Sequence, residues 1–149
     1  EPETRSSADS VLRTQLVVAA TAIPIGPSIP PRKIDPILLN VRAYEGAVPG
    51  PTLRIKPGDC LELEVVNNLA LDPEGRNLST KEETLRGKVV GWPNSTNIHV
   101  HGLHVSPSDH ADNIYRRVGP GQAFNYVYKL PEDHYPGTFF YHPHYGACG

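Results

Sequence analysis

From Pro24 onward, proline and glycine punctuate this chain at short intervals. They recur together as Pro49-Gly50-Pro51, Pro57-Gly58-Asp59, Gly119-Pro120-Gly121 and Tyr135-Pro136-Gly137. Proline fixes φ and lacks an N–H, while glycine supplies positive φ, so each group is a turn that ends the element before it. Between two of these turns Leu61, Leu63 and Val65 alternate with Glu62 and Glu64, the period-two pattern of a strand with one buried face. Cys60 falls on the glutamate side and reads as a strand residue without chemical role. Strands are predicted over 52–56, 60–67, 97–105, 123–130 and 138–142, and no stretch sustains a helical period. That pattern argues for an all-β Greek-key sandwich.

The rest of the chain reads as connection and arm. Residues 1–10 are polar and predict a loose arm; a first apolar strand near Leu16–Ile23 follows, then a proline-rich connection to Pro36. Residues 1–36 are therefore set apart from a sandwich domain over 37–149, its organised part beginning at Pro49. Residues 70–95, with turn signals at Asp72-Pro73-Glu74-Gly75 and Trp92-Pro93-Asn94, read as a long connection with one helical turn. A length of 149 residues suits one domain. The net charge of −2 gives no footprint for nucleic acid and no basic patch for a membrane surface. Leu16–Ile23 falls far short of the roughly 20 apolar residues of a transmembrane helix. With no methionine present, Glu1 is not expected to be a translation start, and export is permitted. Cys60 and Cys148 could pair in an oxidising compartment, but spacing alone does not decide it. Asn77-Leu78-Ser79 and Asn94-Ser95-Thr96 fit the glycosylation acceptor pattern, which is common by chance.

Five of the seven histidines fall into two groups, His99-Val100-His101-Gly102-Leu103-His104 and His142-Pro143-His144. Side chains two apart in a strand point the same way, about 6–7 Å apart. His99 and His101 can face one site, as can His142 and His144. One such pair reads equally well as surface or hydrogen-bonded core histidine; two pairs at strand ends suit neighbouring metal ions. Imidazole serves copper, zinc, iron and nickel alike. A zinc hydrolase is disfavoured, because catalytic zinc takes three protein ligands in a single compact site.

Pro49-Gly50-Pro51-Thr52-Leu53-Arg54 with Pro57-Gly58-Asp59, then Asn97-Ile98-His99-Val100-His101-Gly102-Leu103, then Pro136-Gly137-Thr138-Phe139-Phe140-Tyr141-His142-Pro143-His144, resemble in order the first domain of multicopper oxidases, which include laccases and bacterial copper-resistance oxidases. The resemblance runs from about Leu16 to the end. Gly102 to Pro107, Asp112-Asn113 and Pro143 resemble the bacterial members most. It implies a cupredoxin-like sandwich, truncated at its C-terminus because relatives continue where this chain stops. It also implies copper-dependent oxidation of a small reducing substrate coupled to reduction of O2 to water at a trinuclear cluster. Carried over residue by residue, it makes His99 a type 2 copper ligand and His101, His142 and His144 type 3 ligands.

The resemblance suggests a proton relay for Asp112, for which capping of a turn is an equal account. Gly102 reads either as close packing beside the metals or as a turn glycine. His104 points away from the site on a regular strand, and His110 and His134 read as solvated loop histidines. The family's type 1 copper takes a cysteine thiolate, usually in a His-Cys-His segment that this chain lacks; Pro143 stands where the first domain of copper nitrite reductases has a cysteine. The type 1 copper and the remaining cluster ligands are expected from a C-terminal cupredoxin domain or another subunit, in a secreted, periplasmic or extracellular protein. The isolated segment is expected to be inactive. The alternative is a non-catalytic module that binds or stores copper.

Overall fold

A computed structural model describes residues 2–26, 37–71 and 94–144. The alternating segment forms strand β5, Cys60–Asn67, with Leu61, Leu63, Val65 and Asn67 buried and the residues between them half-exposed. The strands before it are β1 (Thr4–Ser6), β2 (Val11–Ile25), β3 (Ile37–Tyr44) and β4 (Thr52–Arg54); after it come β6 (His99–His101), β7 (Ala123–Lys129) and β8 (Phe140–His142). No helix occurs among the described residues.

β5 lies inside a four-stranded sheet of order β3-β2-β5-β7. It pairs in parallel with β2, Val11 opposite Cys60, and antiparallel with β7, Leu63 opposite Tyr126. The described residues form two smaller pairs as well: β1 with β4 in parallel, β6 with β8 antiparallel. One face of the large sheet supplies Leu12, Leu16 and Val18 from β2, Leu61, Leu63 and Val65 from β5, and Tyr126 and Tyr128 from β7. Ile98 and Val100 join the same cluster, with Tyr141 packed against it. The β6–β8 pair is thus held on the sheet by its own inward residues. Burial of each large aliphatic side chain is worth about 1.5–3 kcal/mol.

Several elements differ from the sequence reading. Residues 1–10 are not a loose arm: Thr4–Ser6 runs beside Thr52–Arg54, and the Cys60 N–H donates to the Ser10 carbonyl at 2.9 Å. The sheet also does not begin at Pro49, because β2 and β3 precede it and β2 is a central strand. The first strand, expected near Leu16–Ile23, extends to Val11–Ile25 as β2 and passes through Pro24. In the fold, only residues 11–18 of β2 pair with β5, so Pro24 has β3 on one side and no β5 partner whose ladder its missing N–H would break. The predicted strands at 52–56, 97–105 and 138–142 shrink to three residues each. β6 stops at Gly102, which takes φ +91°, and β8 stops at Pro143, which has no N–H to continue a ladder. The helical turn expected within 70–95 and the Cys60–Cys148 pairing fall on segments outside the described residues.

At the turn before β5, a hydrogen bond from Ser7 and another from the Lys56 backbone N–H, 2.9 Å from Oδ2, hold the Asp59 carboxyl below the usual carboxylate range. A lowered folded-state pKa stabilises the fold above the ordinary carboxylate pKa, and that contribution disappears as pH falls through the folded value. Asp59→Asn should therefore make the denaturation midpoint less steeply dependent on pH below about 4, as measured by urea titrations at a series of acid pH values. Leu63→Ala, at a position 1% exposed, should destabilise the chain by about 2–5 kcal/mol through lost burial and a residual cavity. Denaturant unfolding followed by circular dichroism measures that loss.

Candidate metal centre

The register of one short ladder builds the site. His99 lies opposite His142, Val100 opposite Tyr141 and His101 opposite Phe140. Directly opposed residues in an antiparallel pair share a face, and successive residues alternate. Val100 and Tyr141 turn into the core, so His99, His101, His142 and Phe140 share the opposite face. One ligand nitrogen from each of His99, His101 and His142 lies within 4.8 Å of the other two. His101 Nδ1 stands 3.3 Å from His142 Nε2. The His99 ring centroid is 5.3 Å from that of each of these two. Phe140 stacks on His101 at 4.5 Å and on His142 at 5.1 Å.

His144 stands beyond the end of β8 and outside the group of three. Its ring is 5.6 Å from that of His99, at 90°, and 6.3 Å from that of His142. All four predicted histidines are therefore neighbours, three of them with converging nitrogens. His99 and His142 are half-buried, and His101 and His144 are exposed.

Hydrogen bonds fix which ring nitrogens are available. His99 Nδ1 lies 2.8 Å from Asp112 Oδ2; an ionised carboxylate only accepts, so Nδ1 carries the proton and Nε2 keeps its lone pair. The other carboxylate oxygen accepts the Val100 N–H at 3.0 Å. His142 Nδ1 donates to the Pro143 carbonyl at 2.9 Å, which leaves its Nε2 as acceptor or ligand atom. A second group that orients a histidine in this way is a usual companion of a metal ligand. Beneath the site, burial pushes the Tyr126 and Tyr141 phenols up to about 12, so both stay neutral at physiological pH.

The other singled-out residues have different surroundings. Gly102 is a positive-φ position, and a Cβ there would come 3.2 Å from the Phe139 ring, so the close approach is to an aromatic side chain. His104 is exposed beyond β6. His110 is exposed, its ring stacked on Phe124 and its Nδ1 3.0 Å from the Asn125 carbonyl. His134 corrects the reading as a solvated histidine: it is 7% exposed, donates from Nδ1 to the Tyr135 carbonyl and accepts the His104 N–H at Nε2. A loop histidine became a buried strut because both ring nitrogens found backbone partners.

A family profile described as multicopper oxidase matches residues 89–148. Multicopper oxidase MmcO of Mycobacterium tuberculosis is 29% identical over 123 residues, covering 80% of this chain and 19% of the relative. An L-ascorbate oxidase of Brassica rapa subsp. pekinensis is 30% identical over 110 residues, 71% of this chain and 15% of the relative. The chain belongs to the multicopper oxidase family. It spans less than a fifth of the length of these two relatives. The multicopper oxidase of Campylobacter jejuni has the same fold, with a TM-score of 0.61 at 24% identity over 96% of this chain and 24% of its own. A multicopper oxidase from Pseudomonas thermotolerans gives 0.57 at 25% identity over 97% of this chain and 26% of its own. The sandwich of this multicopper oxidase domain is cupredoxin-like.

Two residues of this multicopper oxidase domain escaped the sequence reading. Phe140 could have been found from its place two residues before His142, which puts it on the ligand face of the strand. Asn97 gives no such signal: it ends the polar run Asn94-Ser95-Thr96-Asn97, which reads as an ordinary connection, yet it is fully buried. Asp112→Asn, which can still accept the Val100 N–H, should keep the fold while weakening divalent-metal binding about 10–100-fold, because the amide NH2 cannot accept the His99 Nδ1 proton. Calorimetric metal titration beside circular dichroism of the variant gives both readings.

Proposed function

We propose that this chain is a copper-binding part of a laccase-like multicopper oxidase and supplies half the histidine ligands of a trinuclear cluster. His99 serves type 2 copper, and His101, His142 and His144 serve the type 3 pair. Copper, when bound, supplies the one-electron redox changes by which electrons from a small reducing substrate reach O2 and yield water. The observation that carries this reading is the convergence of the His99, His101 and His142 nitrogens within 4.8 Å on one strand pair.

The donor set fits copper by softness and charge: neutral imidazole nitrogens suit it well. The 3.3 Å between His101 Nδ1 and His142 Nε2 is about the separation of two nitrogens that each sit about 2.0 Å from a shared ion at a tetrahedral angle. Asp112 holds His99 in the tautomer whose Nε2 can ligate, and its carboxyl, 13% exposed, is placed to pass a proton toward the type 2 side. The exposed edges of His101 and His144 are where the remaining ligands would approach. Those ligands, and a cysteine-bound type 1 copper that collects electrons, come from a further cupredoxin domain or another subunit. The protein works outside the cytoplasm, in the periplasm or extracellularly.

Copper content and electron paramagnetic resonance of the 149-residue chain, beside a His142→Ala, His144→Ala double variant, test the assignment. Copper should fall sharply in the variant, and unchanged copper would refute the ligand set. The 149 residues alone should oxidise a laccase-type substrate negligibly even when loaded with copper. Activity and a strong blue copper–thiolate absorption should appear together once the rest of the cluster is supplied. Steady O2 consumption by the monomeric chain would overturn that division of labour, and bound copper without turnover in the complete protein would favour a storage role.

A further inference from the structure

His144 lies where neither ladder hydrogen bonds nor the core hold it. β8 ends at His142, and Pro143 brings no N–H of its own. Its backbone N–H nevertheless donates to the side-chain Oδ1 of Asn97, at 2.7 Å. Asn97 lies two residues ahead of His99 and is 0% exposed. The other end of its amide, Nδ2, donates to the Ile114 carbonyl at 2.8 Å, just past Asp112, whose carboxylate holds His99. Its own carbonyl accepts the Tyr44 hydroxyl at 3.0 Å. The buried side-chain amide therefore joins the entry to β6, the residue after Pro143 and the Asp112 loop, while the Asn97 backbone carbonyl ties the same residue to the end of β3.

We infer that Asn97 is a positioning residue that sets the spacing between the two histidine pairs by holding His144 against His99. This deepens the copper assignment and rests on it. An amide suits the task because it presents an acceptor and a donor at once, in opposite directions and without charge. An apolar side chain at this position would leave the His144 N–H and the Ile114 carbonyl without this partner, and removing one member of a buried polar network releases the others. The 5.6 Å perpendicular contact between the His99 and His144 rings would then lose the hydrogen bond that holds the His144 backbone. The His101–His142 pair depends on ladder register and on Phe140 and should be indifferent to Asn97.

The test separates placement from copper chemistry. In the metal-free wild-type chain the His144 amide should exchange with solvent roughly tenfold or more slowly than in an unstructured peptide. Asn97→Leu should lose that protection, keep the strand signature in circular dichroism, and bind the copper equivalent that needs His144 at least about tenfold more weakly. The equivalent held by His101 and His142 should be unaffected. Asn97→Asp keeps an acceptor for His144 but loses the donor to Ile114, and should keep protection intermediate between the wild type and the leucine variant. If the leucine variant does not fold, the wild-type exchange rate carries the test. Free exchange of the wild-type amide, an aspartate variant no better protected than a folded leucine variant, or a leucine variant with wild-type affinity for every copper would each overturn the inference. A protected amide in a wild-type chain that takes up no copper would remove the copper assignment while keeping the placement of His144 by Asn97.

Discussion

The site rests on two residues that never face it. Val100 and Tyr141 lie opposite each other in the β6–β8 ladder and turn into the core. Because strand side chains alternate, anchoring that one pair to the large sheet forces His99, His101 and His142 to the outer face. A one-residue slip of register would exchange the faces, burying imidazoles in an apolar cluster and exposing valine and tyrosine. The hydrophobic contact of Val100 and Tyr141 with the sheet is thus what specifies ligand convergence.

A polar layer around that anchor converts neighbouring rings into a donor set. Asp112 fixes the His99 tautomer and the Val100 N–H together, the Pro143 carbonyl fixes the His142 tautomer, and Asn97 fixes the backbone at His144. Asp112 and the Pro143 carbonyl each occupy Nδ1 and leave Nε2 of their histidine with its lone pair. The aromatic layer underneath, where burial pushes the Tyr126 and Tyr141 phenols up to about 12, adds no charge beside Asp112. Asp112 thus serves the fold and the site together: one oxygen closes the turn onto the strand and the other sets a ligand.

The N-terminal segment has more influence than its polar start suggests. β2 pairs with β3 and β5 and carries Leu12, Leu16 and Val18 into the core. Arg5 donates to the Thr14 hydroxyl at 2.9 Å, and the Ser7 N–H donates to the Arg54 carbonyl at 2.9 Å, tying the first residues to the strands on either side. The frame that supports the β6–β8 pair therefore begins at the first strand.

The sequence by itself determined the strand class, the buried face of Cys60–Asn67 and the shared face of His99 and His101, because period two and turn residues are local signals. The family resemblance also came from short contiguous motifs, which needed no fold to be read. Sequence did not show β2 as a central strand, since Pro24 argues against one until the offset of β5 from β3 makes the position harmless. Nor did it show that His134 is buried or that Asn97 reaches His144 across 47 residues, because both depend on which backbone groups arrive beside them. The tertiary structure decided the tautomers, the His101–His142 contact and the role of Asn97, since a hydrogen bond is settled by position within a few tenths of an ångström and local pattern carries no such information.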